Sequence, residues 1–314
     1  MADTPDWHSA PERSNQATLR LMAWIAVHLG RRVARWILHP ITLYFLCFAP
    51  AARRHSARYL GRVLGRPAHW HEVYRHLHAF ASVVLDRVWF VRGRTDVFDL
   101  QVHGGELVDA TLAEGRGAFL LGAHLGSFEA LHAVGEARPG MRVAMVMYPD
   151  NARLIQGVLQ ALAPQAKLDV IAIGRPGSTL AIRDWLDGGG LAGLLGDRYL
   201  DAGAAPGGPA ARDTLVRLPF LGVPAPFDDG PLRLALLLRR RVIFMVALYR
   251  GGRRYDVRFE TLADFRDPPA DPAARARLVH EAQQAYVARL EALCREAPTN
   301  WFNFHDFWRE DHAA

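Results

Sequence analysis

The sequence predicts an α/β protein: a central, mostly parallel sheet flanked by helices, with an N-terminal apolar helical segment that associates with a membrane. Three observations predict it. From about residue 98, short apolar runs alternate with helix-length amphipathic runs, as in strands joined by crossover helices. Near residue 124, a buried run ends in His-Leu-Gly-Ser-Phe-Glu and then turns helical. Open α/β sheets bind their ligands at such strand-to-helix junctions. Before residue 67 the chain is both strongly apolar and strongly basic, unlike the remainder.

The chain has 314 residues, half of them apolar, enough for one large or two modest cores. The expected organisation is an N-terminal helical segment over 1–95 and an α/β domain over 96–314. The net charge is +6, and residues 13–66 hold ten arginines and no Asp or Glu. The body is therefore nearly neutral. The basic segment also carries the apolar runs Leu21–Val27, Trp36–Leu38 and Ile41–Phe48. None approaches the ~20 apolar residues of a spanning helix. Pro40 is expected to bend or end a helix. Short apolar helices edged by Trp, Tyr and Arg suit a segment lying among lipid headgroups. Arginines there are drawn to the anionic lipids of the cytoplasmic face. The alternative is that these helices cap the core of a soluble domain. Long aliphatic runs do not suit a nucleic-acid surface. The polar first twenty residues argue against a signal peptide. The two cysteines, Cys47 and Cys294, make no disulfide framework and no metal-ligand spacing, and fit a reducing compartment.

Residues 70–90 predict an amphipathic helix, with Val73, Leu77, Phe80, Val84 and Val88 on one face. Expected strands are Leu100–His103, Ala118–Ala123, Arg142–Met147, Leu168–Ile173, Leu191–Leu195, Val216–Phe220, Val242–Leu248 and Tyr255–Phe259. Expected helices cover 105–114, 127–136, 151–162, 178–187 and 230–239. Asp201–Asp213, rich in Gly, Ala and Pro, reads as a loop. Ala273–Ala297 reads as a long helix, entered through Asp271-Pro272 and stopped by Pro298.

His124 and Glu129 form the main candidate constellation. A neutral imidazole takes a proton from an attacking hydroxyl or amine. A carboxylate against its other nitrogen fixes the tautomer and stabilises the imidazolium. On a regular helix this spacing lies roughly 140° off-face. The two side chains meet only if His124 sits in the turn and Glu129 in the first helical turn, with Gly126 permitting the bend. The bland alternative is a satisfied turn histidine beside a carboxylate that complements a helix N-terminus.

Other motifs fail. His71-Glu72-Val73-Tyr74-Arg75-His76 is one residue too long for a zinc-protease helix, and reads as a solvated or interfacial face. Ser127 lacks the flanking glycines of a hydrolase nucleophile elbow. Gly188-Gly189-Gly190 lacks the Lys and Ser/Thr of a phosphate loop and reads as a turn.

Gly122-Ala123-His124-Leu125-Gly126-Ser127-Phe128-Glu129 closely resembles the first block of the lysophospholipid acyltransferase superfamily, most nearly the bacterial branch of lipid A late acyltransferases. Gly196-Asp197-Arg198 resembles a later acidic block of that branch. Val216–Gly222 with Gly230-Pro231 resembles the block lining its acyl-chain and acceptor pocket. The resemblance spans roughly residues 20–310. The ending Trp301–Trp308 departs from the lipid A enzymes and looks like a sub-branch of predicted acyltransferases, some linked to polyene pigment lipids.

The resemblance implies transfer of a fatty acyl chain from an acyl carrier protein or coenzyme A thioester to a hydroxyl or amine of a membrane lipid. It places the reaction at the cytoplasmic face of a bacterial inner membrane, without metal or other cofactor. His124 is then the general base, with Glu129 orienting it. Backbone N–H groups at Gly126 and Ser127 are expected to hold the oxyanion. Asp197, Arg198, Arg217, Pro219 and Phe220 are expected to bind substrate. For Asp197, Arg198 and Arg217 the alternative is a structural salt bridge or loop cap. His305 and Asp306, among aromatics, read as packing or interfacial anchoring. A thioester hydrolase and a non-catalytic lipid-binding scaffold are the rival readings.

Overall fold

The protein is described from a computed structural model, which covers residue 28 and residues 30–136, 141–149, 169–174, 176–198 and 214–308. The expected run Leu21–Val27, the helix over 151–162 and the loop Asp201–Asp213 lie outside the described residues.

The strands in chain order are β1 (Asp99–His103), β2 (Ala118–Gly122), β3 (Val143–Met147), β4 (Asp169–Ala172), β5 (Leu191–Leu195), β6 (Leu215–Phe220), β7 (Val223–Asp228), β8 (Arg241–Tyr249) and β9 (Arg254–Asp264). Seven build one sheet in the order β1-β9-β8-β2-β5-β3-β4. Every pair is parallel apart from β8–β9. All five residues of β2 are buried, as are eight of nine in β8. That explains their unbroken apolar sequences, since a parallel sheet covered on both faces has no polar side. The helices are α1 (Gly30–Phe48), α2 (Pro50–Leu64), α3 (Trp70–Phe90), α4 (Gly105–Ala113), α5 (Phe128–Glu136), α6 (Ser178–Asp187), α7 (Gly230–Leu237) and α8 (Pro272–Glu296). The α/β class with flanking helices is thus as the sequence predicts.

β6 and β7 depart from expectation. The run around Val216–Phe220 is not a strand of the main sheet; it pairs antiparallel with β7 in a separate two-stranded hairpin. β7 escapes a sequence reading because Pro224 and Pro226 interrupt it, and proline lacks the ladder N–H.

Pro40 also behaves differently from a helix end. α1 runs through it to Phe48, and the break comes at Ala49-Pro50, where α1 and α2 meet at 93°. The carbonyl four residues before Pro40 belongs to Trp36. Both residues lie on the exposed face, where losing one intrahelical bond costs least. No single described helix is long and apolar enough to cross a membrane; the bent α1–α2 pair passes that test only jointly.

α2 and α3 share the main core. Tyr59, Leu60, Val63, Val73 and Leu77 join one apolar cluster with Phe119, Leu121 and Phe244 of the sheet. α1 is tied on by a buried fork: Arg31 donates to both carboxylate oxygens of Asp86, at 2.8 and 2.7 Å, and the Tyr255 hydroxyl donates to it at 2.8 Å. Its other face leaves Trp36, Leu43, Tyr44 and Phe48 exposed.

His76 corrects the reading of its helix as solvated. It is wholly buried, with Nδ1 2.8 Å from the Ser56 hydroxyl and Nε2 2.8 Å from the Trp301 carbonyl. His71 is exposed.

Candidate active site

The sheet register builds the site. β2 and β5 pair in parallel with Gly122 opposite Leu195. His124 and Asp197 each stand two residues beyond those partners, so they emerge side by side. Asp197 Oδ1 lies 2.8 Å from His124 Nδ1, and Oδ2 accepts the His124 backbone N–H at 2.9 Å. Oδ2 also accepts the Trp301 indole N–H at 2.9 Å. The carboxylate is buried, whereas the imidazole retains 29% exposure. Among the described residues, His124 Nε2 has no hydrogen-bond partner.

Burial alone would raise the Asp197 carboxyl. The facing imidazole, the Arg198 charge and the indole hydrogen bond outweigh that, holding it well below the usual carboxylate range. It is therefore ionised at neutral pH, and its acceptance from Nδ1–H leaves Nε2 as the basic nitrogen.

Glu129 is not the partner of His124, and that expectation is corrected. It lies in the first turn of α5, forms an ion pair with Arg87 of α3 and meets the Ser127 hydroxyl at 3.4 Å. The Ser127 hydroxyl accepts the Ala130 N–H at 3.1 Å, capping the helix. Ser127 is fully buried. Entering the helix directly from the turn aims Glu129 at α3, leaving Asp197 of the adjacent strand to meet the ring.

The expected oxyanion donors are engaged. Gly126 N–H donates to the Asn300 carbonyl and Ser127 N–H to the Ala247 carbonyl, each at 2.9 Å. Gly126 itself is indispensable to that turn. Its φ is +74°, and a Cβ there would stand 1.9 Å from the Ala247 carbonyl oxygen.

The segment after α8 closes the site. Leu125 bridges Trp301, and the Phe302 N–H donates to the His124 carbonyl at 2.8 Å. The buried Trp301 ring meets Tyr59, Phe220, Phe307 and Trp308. Phe220 is thus a wholly buried member of this aromatic cluster rather than an open pocket wall. Arg217 and Pro219 alternate with it on the exposed side of β6. Arg198 follows Asp197; burial lowers its guanidinium affinity for protons while Asp197 opposes the shift. Its Nη2 approaches the Phe302 carbonyl at 3.5 Å, and its Nε is buried without a partner among the described residues. His305 feels Arg198, Asp197 and His124, and is lowered to about 4 mainly by burial and then by the Arg198 charge. Asp306 pairs with Arg58 at 2.7 Å.

Sequence reasoning passed over Trp301 as an aromatic of the ending and missed Asp197 as the ring's partner. The available signal was that His124 and Asp197 both follow strands expected to be parallel. Among the described residues, no group of three or more His, Cys, Asp or Glu is placed to hold a metal ion. What the site offers is a part-exposed imidazole with its tautomer fixed, beside a guanidinium. No protein-family model matches the chain, and no curated protein is similar enough to count as a relative.

Proposed function

We propose that the protein is an acyltransferase. It moves a fatty acyl chain from an acyl carrier protein or coenzyme A thioester to a hydroxyl or amine of a membrane lipid, at the cytoplasmic face of a bacterial inner membrane. The observation carrying this reading is the Asp197–His124 pair at 2.8 Å, with Nε2 of a part-exposed ring unengaged among the described residues. The choice of acyl chemistry and of lipid comes from the resemblance of Gly122–Glu129 to the acyltransferase block.

In this mechanism His124 Nε2 takes the acceptor's proton as its oxygen or nitrogen attacks the thioester carbonyl carbon. Asp197 stabilises the resulting imidazolium. The tetrahedral intermediate collapses, the C–S bond breaks, and the thiolate leaves with the proton returned by His124. The thioester is already activated, so no acyl-enzyme is needed. With the Gly126 and Ser127 N–H groups occupied, Arg198 is the neighbouring cation suited to the oxyanion or to a donor phosphate. Arg217 and Pro219, on the outer side of the hairpin, suit contact with the acceptor. Glu129 serves by fixing α5 to α3 through Arg87. The exposed aromatics of α1 and the arginine-rich α1–α2 segment suit contact with a lipid surface.

The test is product analysis with an acyl-thioester donor and membrane lipid extract, comparing the native chain with His124→Ala. A positioned base contributes ~10²–10⁴ in rate, so the variant should be nearly inactive while still folded. An acylated lipid supports the proposal. Free fatty acid alone points to a hydrolase, and undiminished transfer by His124→Ala removes the base from the mechanism.

A further inference from the structure

A groove of about 480 Å³ opens where α1 turns into α2 against the start of α3. That volume lies within the ~300–1,000 Å³ range of small-molecule sites. Its bed is apolar, from Leu46, Ala57 and Val73, and exposed Trp70 stands at its side. Among the described residues, Arg53 and Arg54 are its charged lining residues, and no acidic side chain lines it. Arg53 is held in place by donating to the Leu46 carbonyl at 3.1 Å across the helix elbow. Arg53 closes the first turn of α2 and Arg54 follows it; that turn contains no acidic residue and no side-chain cap. An apolar trough lined by two arginines matches a ligand with a hydrocarbon tail and an anionic head.

We propose that this groove binds the acyl chain of an anionic lipid, with its phosphate on Arg53 and Arg54. The site is separate from the His124–Asp197 pair, and its occupancy requires no turnover. The inference therefore stands or falls independently of the acyl-transfer reading.

Cys47 provides the readout. It lines the groove and is exposed, whereas Cys294 is buried within the core. The rate of maleimide labelling of Cys47, located by peptide mass, is measured on the full-length protein with monomeric lysophosphatidylglycerol. The unoccupied fraction is 1/(1 + [L]/Kd), so labelling should slow about tenfold at a probe concentration about ten times Kd. Inorganic phosphate should give no protection, and lysophosphatidylcholine clearly less. Arg53→Gln/Arg54→Gln should weaken lysophosphatidylglycerol by about tenfold or more, as expected for lost charge-assisted hydrogen bonds. Ala57→Phe, which fills the bed and leaves both arginines, should also abolish protection. Protection by phosphate alone would mean a free-anion site and overturn the proposal. So would equal protection by both lysolipids that survives the arginine changes, or no protection at all.

Discussion

Asp197→Asn is the sharpest test of the site, because the neighbouring donors dictate how the new amide must sit. Oδ2 of the native side chain accepts two N–H groups, from the His124 backbone and the Trp301 indole, both at 2.9 Å. Only the asparagine oxygen can take that place. Its NH2 then lies where Oδ1 stands, 2.8 Å from His124 Nδ1. Two donors cannot share that gap, so Nδ1 becomes the acceptor and the ring proton moves to Nε2. The nitrogen required as base is blocked, and the carboxylate charge that would stabilise the imidazolium is gone. The same exchange in a serine protease triad lowers kcat by about 10⁴, equivalent to ~5 kcal/mol of barrier. A loss of that order is expected here, with near-native thermal stability. Glu129→Gln is the control. It disturbs the ion pair with Arg87, in which both side chains keep some exposure, so its stability cost is about 1 kcal/mol or less and its rate loss less than about tenfold. The assay follows radiolabelled acyl chain from thioester to the lipid fraction, with a pH profile for each variant. If Glu129→Gln proves the more damaging to turnover, or Asp197→Asn retains native rates, the assignment of the ring's partner is wrong.

Three further outcomes are expected. Gly126→Ala should destabilise the chain by more than the ~1–2 kcal/mol of a left-handed alanine, since its Cβ collides with the Ala247 carbonyl; a melting temperature within a degree of native would contradict this. Burial holds His76 to about 4, against the Trp301 carbonyl that opposes it, so the unfolded chain takes up its proton first. Its contribution of about 3 kcal/mol is complete above pH ~6.5 and is lost as pH falls towards 4; His76→Gln should flatten the decline in urea midpoint over that interval, and an unchanged slope would refute the linkage. Trp301→Phe keeps an aromatic ring but removes the indole donor, so kcat should fall by about 10-fold or more while donor KM changes little, consistent with ~1.5–3 kcal/mol for a hydrogen bond to a charged group; a change confined to KM would contradict a positioning role.

The sheet was legible in the sequence because its strands are buried on both faces, and β2 and β8 read as unbroken apolar runs. The Asp271 cap, with Pro272 opening the helix, marked the start of α8. The β6–β7 hairpin was not legible, since Pro224 and Pro226 erase the strand signal. Nor did Pro40 end its helix, because position relative to solvent, which local sequence does not carry, decides what that residue costs. At the site, His124 and the bend at Gly126 followed from local pattern. The partner did not. Proximity along the chain favoured Glu129, whereas strand pairing delivered Asp197 from 73 residues away. The oxyanion expectation failed for a similar reason: the Asn300 and Ala247 carbonyls that occupy those amides come from remote elements.

Trp301 lies 104 residues beyond Asp197, yet its indole steadies that carboxylate and the next residue's amide grips the His124 carbonyl. During translation, therefore, the imidazole and the acid are made long before the piece that locks them together. A chain that stops short of Trp301 carries both members of the pair but lacks the indole and amide that hold them. The site is thus completed only once the segment after α8 has been made.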